Sequence, residues 1–209
     1  LVASQQLKET KNAEIYAVTF SNQIASQLTD YDLNGVICIE NNNLEDYAPL
    51  HYIETFHQLN STHSPDFFIF GHTYETRDWV PRLSARIDSP FLSDCIGMKL
   101  DGGISFTRSL YQNKINVDVS SSSPTTIVSF QSGAYKIDAL KTGKSELSSS
   151  SVQLDAVQNT IINDKKFKEA DGGVDLSSAD FIVSIGRGIG KEENIPMAKE
   201  LAGHIGAQL

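Results

Sequence analysis

Between residues 14 and 87 the chain alternates two textures. Short β-branched and aromatic runs are followed by stretches whose apolar positions recur at helical spacing. Residues 14–20, with Ile15, Tyr16, Val18 and Phe20, predict a strand, and residues 21–30 a short helix capped by Ser21. Residues 35–39 (Gly-Val-Ile-Cys-Ile) are almost wholly apolar, the pattern of a strand covered on both faces. A helix over 47–59 follows the Asn41-Asn42-Asn43 turn. Residues 65–71, Pro-Asp-Phe-Phe-Ile-Phe-Gly, predict a third buried strand. Thr76 is then expected to cap a helix through about Ile87, with Pro81 near its first turn. Strand and helix alternating at this spacing predict a mostly parallel, doubly wound sheet.

From Leu92 to Lys136 the pattern changes to short strands without long helices between them. Asp101-Gly102-Gly103 predicts a hairpin turn, and 115–119 and 126–130 predict strands. The serine runs at 120–123 and 148–151 read as polar loops, and 138–151 as a connection near a domain edge. Beyond Ala170 the alternation returns. Asp171-Gly172-Gly173 is a turn, 179–185 a buried strand, and 192–205 a helix with Ile195, Ala198, Leu201, Ala202 and Ile205 on one face, stopped by Gly206.

Both ends bear on the reading. Leu1, Val2 and Leu7 form a helical face with no capping residue before them, so a strand is expected upstream. The last strand and helix make half of a βαβ unit, which does not bury its own apolar face. The chain therefore reads as a piece of a longer protein.

Composition narrows the possibilities further. The 209 residues are 40% hydrophobic and 21% charged, an ordinary globular balance. The formal charge of -9 has the wrong sign for a general nucleic-acid binder or for an anionic membrane surface. Apolar runs such as Phe67-Phe68-Ile69-Phe70 fall far short of the ~18 residues of a membrane span. Two cysteines, Cys38 and Cys95, with no CxxC pattern favour a reducing compartment, and the expected location is cytoplasmic.

The sharpest chemical signal is Gly186-Arg187-Gly188-Ile189-Gly190 between a predicted strand and helix. Glycines admit a ligand close to the backbone, a helix start offers unpaired N–H groups, and Arg187 adds a permanent forked cation. The pattern matches neither a phosphate-binding Walker loop nor a full GxGxxG, and a tight turn without a ligand is the competing reading. His72, beyond the carboxyl end of a strand, stands where open sheets bind ligands, although a satisfied surface histidine is the commoner outcome. Arg77, Arg82 and Arg86 are expected in intramolecular ion pairs or at an interface, and both cysteines as buried small hydrophobes. His51, His57 and His63 do not share a helical face, which argues against a metal site. No self-contained catalytic constellation is present.

Several segments in order resemble a known family. Pro65-Asp66-Phe67-Phe68-Ile69-Phe70-Gly71-His72-Thr73 followed by Arg77-Asp78-Trp79-Val80-Pro81-Arg82-Leu83-Ser84-Ala85-Arg86 is similar to a stretch of the electron transfer flavoprotein alpha subunit. So are Leu92-Ser93-Asp94-Cys95, Gly172-Gly173-Val174-Asp175-Leu176, Ala179-Asp180 and Val183-Ser184-Ile185-Gly186-Arg187-Gly188. The resemblance implies an α/β fold. Residues 1–170 would form the family's N-terminal domain, resembling the adenine-nucleotide alpha-hydrolase fold, with its first strand missing and an antiparallel β portion. Residues 171–209 would begin a truncated FAD-binding domain. It further implies a heterodimer with a beta subunit that carries electrons from flavin dehydrogenases to a quinone-linked or other redox acceptor. FAD would be the cofactor of the full-length protein, bound poorly or not at all by this piece. Arg187 is the one flavin contact that carries over; no catalytic or metal-binding residue is implied. His72 stands where the family has Ala, Glu75-Thr76 near its usual Gly, Gln131-Ser132-Gly133 for Arg-Pro-Gly, and Gln112-Asn113 for Gly-Gly, so interface contacts are expected to differ there. The alternatives are a nucleotide-binding α/β hydrolase or ligase, whose phosphate loop is not found in the first domain, and a cofactor-free interaction module.

Overall fold

The alternation of the first ninety residues folds as parallel strands with helices on both sides. In the computed structural model, which describes residues 1–158, 160–164 and 179–209, the order is α1 (Val2–Lys11), β1 (Tyr16–Thr19), α2 (Asn22–Leu28), β2 (Gly35–Ile39), α3 (Pro49–His63), β3 (Phe67–Gly71) and α4 (Tyr74–Arg86). Then come β4 (Phe91–Lys99), β5 (Ser105–Leu110), β6 (Ile115–Val119), β7 (Thr126–Phe130) and β8 (Leu147–Ser150), and, in the tail, α5 (Ile195–Ile205). Two units are distinguished, Leu1–Asn163 and Asp164–Leu209. The expected boundary at 170/171 and the Asp171-Gly172-Gly173 turn lie outside the described residues.

The strands of the first unit form two sheets. One is parallel, in the order β1-β2-β8; the other is mixed, in the order β3-β7-β4-β5-β6. β3, β7 and β4 run parallel, and β5 and β6 add an antiparallel meander. β7 is buried at every position, as a central strand covered on both faces must be. On the front, α3 and α4 pack Ile53, Phe56, Leu59, Trp79, Val80 and Leu83 against Ile39 of β2, Phe68 of β3 and Ile127 of β7. On the back, α2 covers Val36 and Cys38 through Ala25, and Ala3 of α1 joins Leu92, Cys95, Phe106, Val128 and Phe130. The alternation of Phe67 and Ile69 to the back and Phe68 and Phe70 to the front follows from the two-residue period of a strand.

Local chemistry explains the helix ends. The Ser21 hydroxyl accepts from the Ile24 amide at 3.4 Å, as expected. The fourth helix is capped by Thr73, whose Oγ1 accepts from the Thr76 amide at 3.2 Å, three residues before the expected cap. Pro81 consequently sits inside α4 and not in its first turn. A proline there removes one ladder bond, so α4 relies on the packing of Trp79, Val80 and Leu83.

Three further expectations are corrected. The serine run expected as a loop contains β8, with Ser148 opposite Ile37 and Ser149 opposite Cys38. β2 is a buried strand whose second edge needs partners, and that demand outweighs the low strand preference of serine. In the second unit the expected buried strand at 179–185 is reduced to a single parallel bridge between Ile182 and Gln208, with Phe181 and Ile182 exposed. The helix expected from 192 begins as a 3-10 turn, Glu192–Asn194, before α5. Gly206 ends α5 in the left-handed conformation at φ 67°. Ala198 and Ala202 are buried on the expected face, whereas Leu201 and Ile205 are exposed.

Candidate functional site

The glycine-rich turn of the second unit is built by a short 3-10 turn, Arg187–Ile189. The Ile189 amide donates to the Gly186 carbonyl at 3.0 Å, and the Gly190 amide to the Arg187 carbonyl at 3.2 Å. Asn194 closes the loop by donating its side-chain amide to the Ile189 carbonyl at 2.8 Å. Only Gly190 is demanded by the backbone, at φ 78°. A Cβ placed on Gly186 or Gly188 meets nothing within 4 Å, so neither crowding nor φ explains those two glycines. The neighbouring Lys191 is paired with Glu193 at 3.4 Å. Among the described residues the Arg187 guanidinium has no hydrogen bond or ion pair. The turn thus holds out an unused planar cation beside bare backbone.

The other candidate lies at the carboxyl ends of β3 and β7. His72 Nδ1 is 2.9 Å from the Ser129 hydroxyl, and the His72 amide donates to the Phe130 carbonyl at 2.7 Å. Ser129 Oγ also accepts from the Asp94 amide at 3.2 Å, and Asp94 Oδ1 stands 3.8 Å from His72 Nε2. Asp94 takes a left-handed φ of 58° where β4 is irregular between Leu92 and Cys95. The three side chains resemble a hydrolytic triad in composition only. Ser129 is fully buried and its oxygen already serves two neighbours, so it has no access to a substrate. The cluster fastens β3, β4 and β7 together at one edge. Ser129 carries no signal in the sequence, because a serine in Thr-Ile-Val-Ser-Phe reads as one more alternating strand position, and Asp94 stands out there only within the Leu92-Ser93-Asp94-Cys95 resemblance.

The remaining candidates have structural roles. Arg82 pairs with Asp78 at 2.9 Å, Arg86 with Glu54 at 3.4 Å, and Arg77 lies over the Tyr74 ring at 5.5 Å. Asp78 also accepts from the Tyr47 hydroxyl at 2.5 Å; burial first, and this bond next, push that phenol well above the usual range. His51 is buried between the Asn43 and Val157 carbonyls, each at 3.1 Å, and His57 pairs with Glu54. Both cysteines are free and buried, as expected. Burial pushes the Cys95 thiol up to about 11, against the opposing pull of Arg108. Among the described residues no group of three His, Cys, Asp or Glu is placed to hold a metal ion, and no helix is long and apolar enough to cross a membrane.

Comparison with known proteins places both units. Residues 1–156 match the electron transfer flavoprotein domain, and residues 175–209 match the electron transfer flavoprotein FAD-binding domain. The chain is 33% identical over 186 residues to the electron transfer flavoprotein subunit alpha of Bacillus subtilis, covering 88% of this chain and 57% of that protein. It is 27% identical over 213 residues to the subunit of the same name from Methylophilus methylotrophus, covering 99% of this chain and 65% of the relative. The corresponding subunit of Thermoanaerobacterium thermosaccharolyticum is 25% identical over 212 residues, covering 97% and 64%. The chain thus spans about three fifths of the length of these relatives. With Arg187 inside the FAD-domain match and the parallel core inside the other, the chain belongs to the electron transfer flavoprotein alpha-subunit family.

Proposed function

We propose that this chain is part of the alpha subunit of an FAD-containing electron carrier, in which Arg187 contacts the flavin. The observation that carries the reading is the Arg187 guanidinium, which has no hydrogen bond or ion pair among the described residues and is flanked by two glycines that neither φ nor crowding among those residues requires, within the stretch similar to an FAD-binding domain. Such a fork of donors fits an anionic or carbonyl-rich ring, and a fixed positive charge beside it favours the reduced, anionic flavin. FAD, when bound, supplies the one- and two-electron chemistry, and the protein positions it and sets its potential. Residues 179–209 provide one polar contact of this kind. The rest of the flavin seat is assigned to family segments outside this chain, so the 209 residues alone should hold FAD weakly or not at all.

In the same reading the first unit is a scaffold whose parallel core is related to the adenine-nucleotide alpha-hydrolase fold. The partner is an electron transfer flavoprotein beta subunit, the donors are flavin dehydrogenases, and the acceptor is a quinone-linked or other oxidoreductase. Two free thiols suit a reducing cytoplasm.

The test is co-expression of the natural-length subunit with its beta partner. The expected result is a heterodimer that retains yellow FAD through desalting and is bleached anaerobically by a reduced flavin dehydrogenase. A colourless heterodimer that stays colourless with excess FAD contradicts the proposal.

A further inference from the structure

After β8 the chain leaves the sheet and straps the front of the first unit. Residues 151–158 run along α3 without regular structure. Val152 and Leu154 anchor this strap, buried in the front core with Ile53, Phe56 and Leu59 of α3. Irregular backbone over a core needs partners for its polar groups, and side chains supply them. Asn41 donates to the Val152 carbonyl at 3.1 Å. Gln58 of α3 donates to the Gln153 carbonyl at 2.8 Å and accepts from the Gln153 amide at 3.0 Å. The Val157 amide turns back to the Leu154 carbonyl at 2.9 Å, and the Val157 carbonyl lies 3.1 Å from His51 Nε2. The first family match ends at residue 156 and the second begins at 175, so Val157 opens the stretch that joins the two matched domains.

Among these fastenings His51 is the one that gains or loses a proton. It is 4% exposed, and both ring nitrogens face backbone carbonyls, Nδ1 that of Asn43 and Nε2 that of Val157, each at 3.1 Å. A carbonyl oxygen only accepts. Neutral imidazole has one N–H and one lone pair, so either tautomer satisfies one carbonyl and sets a lone pair against the other. Imidazolium has two N–H groups and donates to both, through the stronger bonds of a charged donor. Burial disfavours that charge, and the two carbonyls stand in for the water it loses. The Asn43 carbonyl belongs to the 3-10 turn Asn42–Leu44, only eight positions from His51, whereas Val157 is 106 positions away. Asn43 stays within reach in either state, so the bond at stake is the one to Val157.

The charged residues of the surrounding elements are Glu45 and Asp46 beyond the turn, Asp155 on the strap, and Glu54 and His57 on α3. Among the described residues none of them forms an ion pair with His51. Glu54 is engaged by His57, Arg86 and Gln58, and Asp78 of α4 by Arg82 and Tyr47. We propose that His51 is a proton-operated clasp. Doubly protonated, it pins the Val157 end of the strap to α3; on losing a proton it lets that end loosen while Val152 and Gln153 stay seated. The first unit's hold on the chain that joins the two matched domains thereby becomes dependent on pH. The proposal does not depend on the flavin reading.

Residue-resolved amide hydrogen exchange on the natural-length protein, at about pH 5 and pH 8 and corrected for intrinsic rates, tests this. The Val157 amide should exchange at least about 10-fold faster at the higher pH, the size expected for one lost bond from a charged donor, while Gln153 and Val128 change little. The dependence should vanish in His51→Gln and persist in His57→Gln, which separates the clasp from the neighbouring His57–Glu54 pair. Should His51→Gln not fold, long-range 1H–15N spectra of the unaltered protein decide: the His51 ring should pass from two N–H groups to one over the pH range in which Val157 loosens. Equal protection of Val157 at both pH values overturns the proposal. So does a dependence that survives His51→Gln or is lost in His57→Gln, and so does a His51 ring that keeps one protonation state throughout.

Discussion

Ser129 is a fully buried hydroxyl that serves two neighbours at once, His72 and the Asp94 amide. Replacing it with alanine leaves the Asp94 amide and one histidine nitrogen without partners. Ser129→Ala should lower unfolding stability by about 1–3 kcal/mol, measured by urea titration. Gln112 and Asn113 follow Tyr111 in a turn where all three have left-handed backbones, at φ 52°, 57° and 64°. The family resemblance puts glycine at the last two positions, and glycine alone takes this conformation without Cβ strain. Gln112→Gly should therefore raise stability by roughly 0.5–1 kcal/mol, seen as a higher melting temperature. At Cys95 burial raises the thiol from the usual 9 to about 11, so the folded state holds its proton more tightly than the unfolded state. That contribution is complete below pH 9 and is lost as pH rises toward 11, so urea midpoints should fall over that window and fall less in Cys95→Ala. The buried cysteines were legible from composition. The Ser129 cluster was not, because it unites residues from three strands that only the fold brings together.

Among the elements, α3 ties the front of the first unit together, and Phe56 is its central contact. This one ring meets Phe20, Phe68, Phe70 and Trp79. Phe56→Ala should cost about 3–5 kcal/mol by chemical denaturation, more than a typical single core truncation on an outer strand. The approach to β8 is held as closely, since a Cβ on Gly143 would come 2.8 Å from the Asp32 Cα. Gly143→Ala should destabilise by about 1–3 kcal/mol in the same assay. β2, β6 and β7 were legible to the residue because their apolar or alternating runs are bounded by turn residues. The Thr73 cap was misplaced because Thr73 and Thr76 are both capping residues three positions apart. β8 escaped because Leu147-Ser148-Ser149-Ser150 carries no apolar alternation, and its strand state is imposed by the unpaired edge of β2.

At the scale of the whole molecule, the first unit has its own cores and the second displays apolar residues on α5 and beside Ile182. The ordered series of motifs made the family legible in the sequence. The α/β class followed from alternation, but the division into two sheets did not, since strand spacing does not reveal which edges remain unpaired. Arg187 was legible as a cation on a glycine turn, while its having no partner among the described residues is a property of the fold. The central claim is that this guanidinium acts on the flavin. Anaerobic potentiometry of the natural-length heterodimer with and without Arg187→Ala tests it most directly. A lost charge-assisted hydrogen bond of about 1.5–3 kcal/mol corresponds to roughly 65–130 mV for one electron, so the oxidised/semiquinone potential should move down by that order. An unchanged potential at full FAD occupancy contradicts the account.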